Sequence, residues 1–267
     1  MMQQEINVQK INDSVKKIGD HFLRDYKQNA IPENSAELLR KLDEMDELCI
    51  SSLKADLALT FPDIPFLIGD EFDGEAQRRP AEIPEYWLCD AMDGAIQYLQ
   101  HISGWTINLA LIRNGKPYFS VIYDPLSNEL FWAKEGEGAF MNDKRLHTGR
   151  KTDFQSMIAV FEYGHQGKSN TDFSKKTGAT VTKLLESFGV VRNYGPHGLQ
   201  LAYVGAGRID LFIQEDLDTF NWIAGLLIAQ EAGAEILSTD GNPWHWGSEN
   251  LLVGKKEAVQ KYLQVKQ

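Results

Sequence analysis

The chain has 267 residues, 43% of them hydrophobic and 24% charged, enough apolar material for a sizeable core in one large domain or two ordinary ones. Its 27 basic against 38 acidic residues give a net charge of −11 and a pI near 5.0, which speaks against broad attraction to nucleic acid or an anionic membrane while leaving local phosphate binding open. No stretch approaches the roughly 20 apolar residues of a membrane span, the first residues hold no apolar signal core, and Cys49 and Cys89 have neither zinc nor disulfide-framework spacing. The expectation is a soluble cytoplasmic protein with two structural thiols.

In chain order, Val8, Ile11, Val15, Ile18, Phe22 and Tyr26 recur at steps of three and four and predict an amphipathic helix over about 4–28. Leu38, Leu42, Met45, Cys49, Leu53 and Leu57 predict a second over about 35–59, closed by Phe61-Pro62 because proline cannot continue the hydrogen-bond ladder. Pro-Phe-Leu-Ile-Gly at 65–69 reads as a short strand and 73–85 as a loop. Strand-like runs at 105–112, 117–123 and 129–134, punctuated by Asn114-Gly115 and by Asp124 to Asn128, predict a β-meander.

After Gly149 the pattern becomes an alternation of strands (157–161, 190–191, 208–213, 234–238, 250–253) with helices (178–188, 197–205, 219–232 and a terminal one). The polar stretch 165–178 reads as a loop. The fold class is therefore α/β, with an α+β first half at 1–148 and an α/β second half at 149–267.

The chemistry concentrates in Trp-Leu-Cys-Asp-Ala-Met-Asp-Gly-Ala at 87–95. A turn there would aim Asp90 and Asp93 at one point, and hard cations such as Mg²⁺ prefer converging carboxylates. Gly94 and Ala95 open the next segment, where free backbone amides at a helix start favour an anion. On its own, such a string most often marks a turn with two solvated acids. Other strings narrow the choice: Leu-Ile-Gly-Asp-Glu at 67–71, Lys-Glu-Gly-Glu-Gly-Ala-Phe-Met-Asn at 134–142, and Phe-Asn-Trp-Ile-Ala-Gly running to Glu-Ala-Gly at 220–233.

In this order and context the strings resemble the inositol monophosphatase family of metal-dependent, lithium-sensitive phosphatases. The resemblance implies a layered α/β/α/β/α sandwich, a homodimer, and Mg²⁺-dependent hydrolysis of a small phosphate monoester by an activated water. It implies metal ligands at Asp70, Asp90, Asp93, Asn221 and the carbonyl of Met92, with phosphate held by the amides of Gly94 and Ala95. It places the catalytic pair at Asp43 and Ala95, and substrate contacts at Gly195, His197, Gln214 and Glu215.

Several positions depart from the family pattern. Asp70 stands for a glutamate, with Glu71 on the opposite strand face; Ala95 replaces the threonine that positions the attacking water, leaving Asp43 without its hydroxyl; Asn221 replaces an aspartate. Ala91 for proline and Phe220 for tryptophan preserve the backbone. Asp218 reads first as the helix N-cap and second as a substitute ligand, and His197 either contacts phosphate or simply starts a helix. Two functions follow from the resemblance: a phosphomonoesterase of reduced activity, or a regulatory protein that keeps the phosphate cradle after losing turnover.

Overall fold

The computed structural model describes residues 5–68, 74–163 and 171–265. Helix α1 (Val8–Asp25) buries Ile11, Val15, Ile18 and Phe22, the stripe read from the sequence, and Asn7 caps it by accepting from the Lys10 N–H. Helix α2 (Ser35–Ala58) is capped by Asn34 and buries Met45, Cys49, Leu53 and Leu57. Seven strands follow: β1 (Phe66–Ile68), β2 (Glu85–Asp93), β3 (Thr106–Arg113), β4 (Lys116–Asp124), β5 (Glu129–Lys134), β6 (Gly138–Met141) and β7 (Lys144–Arg145). They form one sheet in sequence order, with only β1–β2 parallel, and the short helix α3 (Ala95–Leu99) leaves β2 directly.

The second sheet has the order β11-β12-β10-β8-β9, from β8 (Ile158–Tyr163), β9 (Val190–Arg192), β10 (Leu211–Glu215), β11 (Glu235–Leu237) and β12 (Asn250–Gly254). Between these strands run α4 (Thr171–Ser187), α5 (His197–Gly205) and α6 (Thr219–Glu231), and α7 (Lys256–Gln264) comes last. Two expectations are corrected. Helix α4 starts at Thr171, so the end of the polar 165–178 stretch is helical. Strand β2 runs through both aspartates, so the acids lie within a strand and not in a turn after it.

Strand alternation sorts the side chains into layers. Trp87, Cys89 and Ala91 of β2 and Ile107, Leu109 and Leu111 of β3 pack against α1 and α2. Tyr86, Leu88, Ala110 and Ile112, on the other face, meet α5 and α6, which meet Val160, Phe212, Leu251 and Val253 of the second sheet. The far face of that sheet packs on α4 and α7 through Leu184, Ala258 and Val259. The order is helix, sheet, helix, sheet, helix. Residues Thr219–Ala229 of α6 are all buried, as a helix between two sheets must be. Its last residue, Glu231, reaches back to the first half, accepting from the Gly136 N–H at 2.9 Å and the Gly138 N–H at 2.8 Å. Two strings singled out in the sequence, Glu-Gly-Glu-Gly and Glu-Ala-Gly, thus meet as one clamp. No helix among the described residues is long and apolar enough to cross a membrane.

Candidate functional site

Residues three apart on a regular strand point to opposite faces. Asp90 follows Tyr86 and Leu88 into the middle layer, so an undistorted β2 would turn Asp93 toward α1 and α2. The pairing with β3 prevents this: Asp90 opposes Asn108 and Asp93 opposes Thr106, so β2 takes one residue more than its partner between the two pairs. The extra residue is a β-bulge, and it returns Asp93 to the side of Asp90 while the Met92 side chain stays in the outer core. Asn108 Nδ2 then donates to Asp93 Oδ2 at 3.0 Å and to Asp90 Oδ2 at 3.3 Å. Thr106 Oγ1 donates to Asn108 Oδ1 at 2.8 Å and fixes the amide with its NH₂ toward the acids.

The bulge ends at Gly94, whose φ of +87° and 2.6 Å approach of a would-be Cβ to the Gly104 carbonyl oxygen require glycine. Pro196 lies against this glycine and Gln97 against Gly195, so the start of α5 adjoins the start of α3. From α5 the Gly198 N–H donates to Asp93 Oδ2 at 2.7 Å; a Cβ there would stand 2.6 Å from Asn108 Nδ2. Burial pushes the Asp93 carboxyl up to about 6, partly offset by the neighbouring His197 charge and by the Gly198 and Asn108 hydrogen bonds, with Asp218 adding to the rise.

Asp218 is the N-cap residue of α6, as first read, but its side chain makes no cap bond and is turned elsewhere. Its Oδ1 accepts from Asn221 Nδ2 at 2.7 Å and its Oδ2 from Gln214 Nε2 at 2.8 Å. The imidazole of His197 lies between Asp218 Oδ2, 3.5 Å from Nδ1, and Glu162 Oε2, 3.7 Å from Nε2. Glu162 and Asp218 thus bracket one imidazole whose charge is also felt by Asp93, and α3, α5 and α6 begin close together. Helix starts carry exposed N–H groups and partial positive charge, a setting suited to an anionic ligand.

The sequence-derived residues fare unequally. Asp90, Asp93, Gly94, Ala95, Gly195, His197 and Asn221 belong to this neighbourhood. Gln214 faces it, but its amide is engaged by Asp218 and by Trp222 Nε1 at 2.6 Å, so it acts on the site through Asp218. Glu215 is corrected: alternation turns it to the other face of the sheet, where it accepts from Thr180 Oγ1 at 2.9 Å and pairs with Lys176 at 2.7 Å, both on α4. Asp43 is exposed on α2, two residues or about 200° of helical turn from the buried Met45. The α2 acid whose charge reaches β2 is Asp46, which adds to the upward shift that the neighbouring Cys49 thiol and burial impose on Cys89. Asp70 and Glu71 lie outside the described residues.

Sequence reasoning missed Thr106, Asn108 and Glu162. The signal for the first two was present, since they are alternate polar letters in an otherwise apolar strand. Among the described residues, no group of three or more His, Cys, Asp and Glu side chains is placed to hold a metal ion. The acids that share Asn108 are nonetheless oxygen donors, the type a hard divalent ion prefers, and burial of Asp93 disfavours its charged form.

The model of the inositol monophosphatase family matches residues 4–266. The chain is 34% identical over 187 residues to an inositol-1-monophosphatase of Rhizobium meliloti, covering 66% of this chain and 67% of that one. It is 29% identical over 198 residues to a Xylella fastidiosa protein named Nus factor SuhB, covering 74% and 69%. Among solved structures, the extragenic suppressor protein suhB of Bartonella henselae superposes with a TM-score of 0.78 at 23% identity, covering 96% of this chain and 97% of that one.

Proposed function

Because the chain belongs to the inositol monophosphatase family, whose chemistry is metal-dependent phosphomonoester hydrolysis, we propose that it hydrolyses a small phosphorylated polyol, sugar or nucleotide with Mg²⁺ in the cleft at the starts of α3, α5 and α6. The observation that supports this reading is the pairing of half-buried Asp90 and buried Asp93 on Asn108, with buried Asp218 nearby on His197, oxygen-donor chemistry at the meeting of three helix starts.

In this reading Asp90, Asp93, the carbonyl end of Asn221, the Met92 carbonyl and Asp70 hold the cation. When bound, Mg²⁺ supplies Lewis acidity toward the phosphate and lowers the pKa of a water. The chain's own residues do the rest. The amides of Gly94 and Ala95 bind phosphate, Asn108 holds the two aspartates in register, and His197 with Gly195 lines the side where the leaving alcohol rests. Of the family's water-positioning pair, Ala95 offers no hydroxyl, and Asp43, exposed on α2, is not brought to it. The same reading takes the chain as a cytoplasmic homodimer.

The test is phosphate release from a panel of monoesters at graded Mg²⁺, beside calorimetric Mg²⁺ titration. Release that depends on Mg²⁺ upholds the assignment, and absence of both release and Mg²⁺ binding refutes it. A regulatory role is the second reading. It is favoured by Ala95 and by Asn221, whose amide nitrogen is turned onto Asp218, and it accords with the Nus factor named among the relatives. Phosphate binding without release would select it.

A further inference from the structure

Glu162 belongs to no motif read from the sequence. It sits beside Gln214 in the parallel pairing of β8 with β10, facing the middle layer. The residue is buried, and a buried carboxylate persists only where donors replace its water. Among the described residues, its donors all come from one short segment. Oε1 accepts from the Gly195 N–H at 2.9 Å and from Gln200 Nε2 at 2.6 Å, and Oε2 accepts from Asn193 Nδ2 at 3.0 Å with His197 Nε2 at 3.7 Å. The next residue of that segment, Gly198, donates its N–H to Asp93. Glu162 thus ties the second sheet to the stretch of chain that rests on the bulge of the first. With Asp218 on the other side of the ring, the imidazole of His197 is bracketed at both nitrogens.

Resting on the phosphomonoesterase reading, we propose that Glu162 is a positioning residue. By clamping 193–200 it sets the wall, made by Gly195 and His197, against which the leaving alcohol of the substrate lies, and so decides which alcohols fit. It does not touch the phosphate. Its loss should therefore weaken binding of a substrate long enough to reach the wall and spare one that is not. A carboxylate that merely stabilised the fold would affect both alike.

The experiment compares wild type, Glu162→Gln and Glu162→Asp with a cyclitol monophosphate and with methyl phosphate, whose leaving group is too small to reach the wall. Amide hydrogen exchange of 193–200 is followed in the same proteins. The amide of Glu162→Gln keeps one acceptor and turns an NH₂ toward donors. We expect KM for the cyclitol ester to rise about tenfold or more with kcat changed by less than about threefold, and KM for methyl phosphate to stay within about twofold. Exchange in 193–200 should quicken about tenfold while β8 and β10 stay protected, and Glu162→Asp should recover part of both effects. Equal losses on the two esters, or unchanged exchange in 193–200, would overturn the proposal. Should wild type release phosphate from neither ester, the phosphomonoesterase reading is judged by the wider monoester panel with Mg²⁺ titration, and exchange alone decides the clamp. Should Glu162→Gln not fold, Asn193→Ala removes one donor and leaves the carboxylate in place; it must quicken exchange in the same segment, and no change there would equally overturn the clamp.

Discussion

The ends of β2 and β10 both present two polar residues close together in sequence, and the fold treats them in opposite ways. Asp90 and Asp93, three apart, should face apart and are brought together by one extra residue in the strand. Gln214 and Glu215, adjacent, are parted by ordinary alternation, one turned to Asp218 and the other to α4. Proximity in sequence is thus a poor guide to a shared site on a strand. What counts is parity, and whether a bulge changes it.

The sharpest way to break this comparison is to remove the bulge. Inserting one alanine between Ile107 and Asn108 gives β3 as many residues as β2 across this stretch, so Asp93 should rotate into the apolar layer beneath α1 and α2, leaving a carboxylate without its Gly198 and Asn108 donors. We expect loss of phosphate release and destabilisation by more than about 4 kcal/mol, read by chemical denaturation. An insertion variant of near-normal stability and activity would mean that the bulge does not set the side of Asp93.

A smaller effect is carried by pH. The folded pKa of Asp93, about 6, lies above its ordinary value of 3.8, so between these values the folded state binds more protons than the unfolded one. Its contribution is present below pH 4 and is lost as pH rises through about 6, at most roughly 3 kcal/mol for a two-unit shift. Without divalent cation, the melting temperature of wild type should therefore decline over this window relative to Asp93→Asn. Mg²⁺ should restore it above pH 6 and do little near pH 4. Parallel pH curves for the two proteins would show that Asp93 is not under this strain.

Restoring the departures from the family pattern should act next. Asn221→Asp should tighten Mg²⁺ binding about tenfold in calorimetry. Combined with Ala95→Thr it should raise kcat more than it lowers KM, toward the lower end of the roughly 10² to 10⁴ that positioned acid–base assistance contributes. Unchanged Mg²⁺ affinity would remove Asn221 from the cation.

The smallest effect belongs to Glu215→Gln. Its amide oxygen can still accept from Thr180, and its Lys176 partner is half-exposed, so stability should fall by about 1 kcal/mol and kcat/KM should stay within about twofold. A tenfold rise in KM would bring Glu215 back to the cleft and undo the contrast between the strands.

Much of the architecture was legible because amphipathic periods are local. The buried ridges of α1 and α2, the meander and the strand–helix alternation follow directly from spacing. Helix α4 was half hidden because the side facing the sheet carries Thr177 and Thr180, hydroxyls where an apolar stripe would have been read. The acidic string was legible, but its geometry was not: a bulge leaves no letter of its own, and Asn108 acquires its role only when β3 is laid beside β2. Glu162 and Asp46 are ordinary acids until α5 and β2 are packed against them.

The clamp of Glu231 on the Gly136 and Gly138 amides bears on how the chain is made. A ribosome that has delivered residue 148 has released every strand of the first sheet, but nothing that covers the inner face formed by Tyr86, Leu88, Ala110, Ile112 and Phe131. That face waits for α5 and α6, and the hairpin of β5 and β6 waits for Glu231 itself. The nascent first half therefore travels with a bare apolar sheet until residue 231 has emerged, the interval in which chaperones and aggregation compete for it. A gene cut at the boundary between the sheets should yield a fragment that is insoluble alone and becomes soluble when the second half is co-expressed.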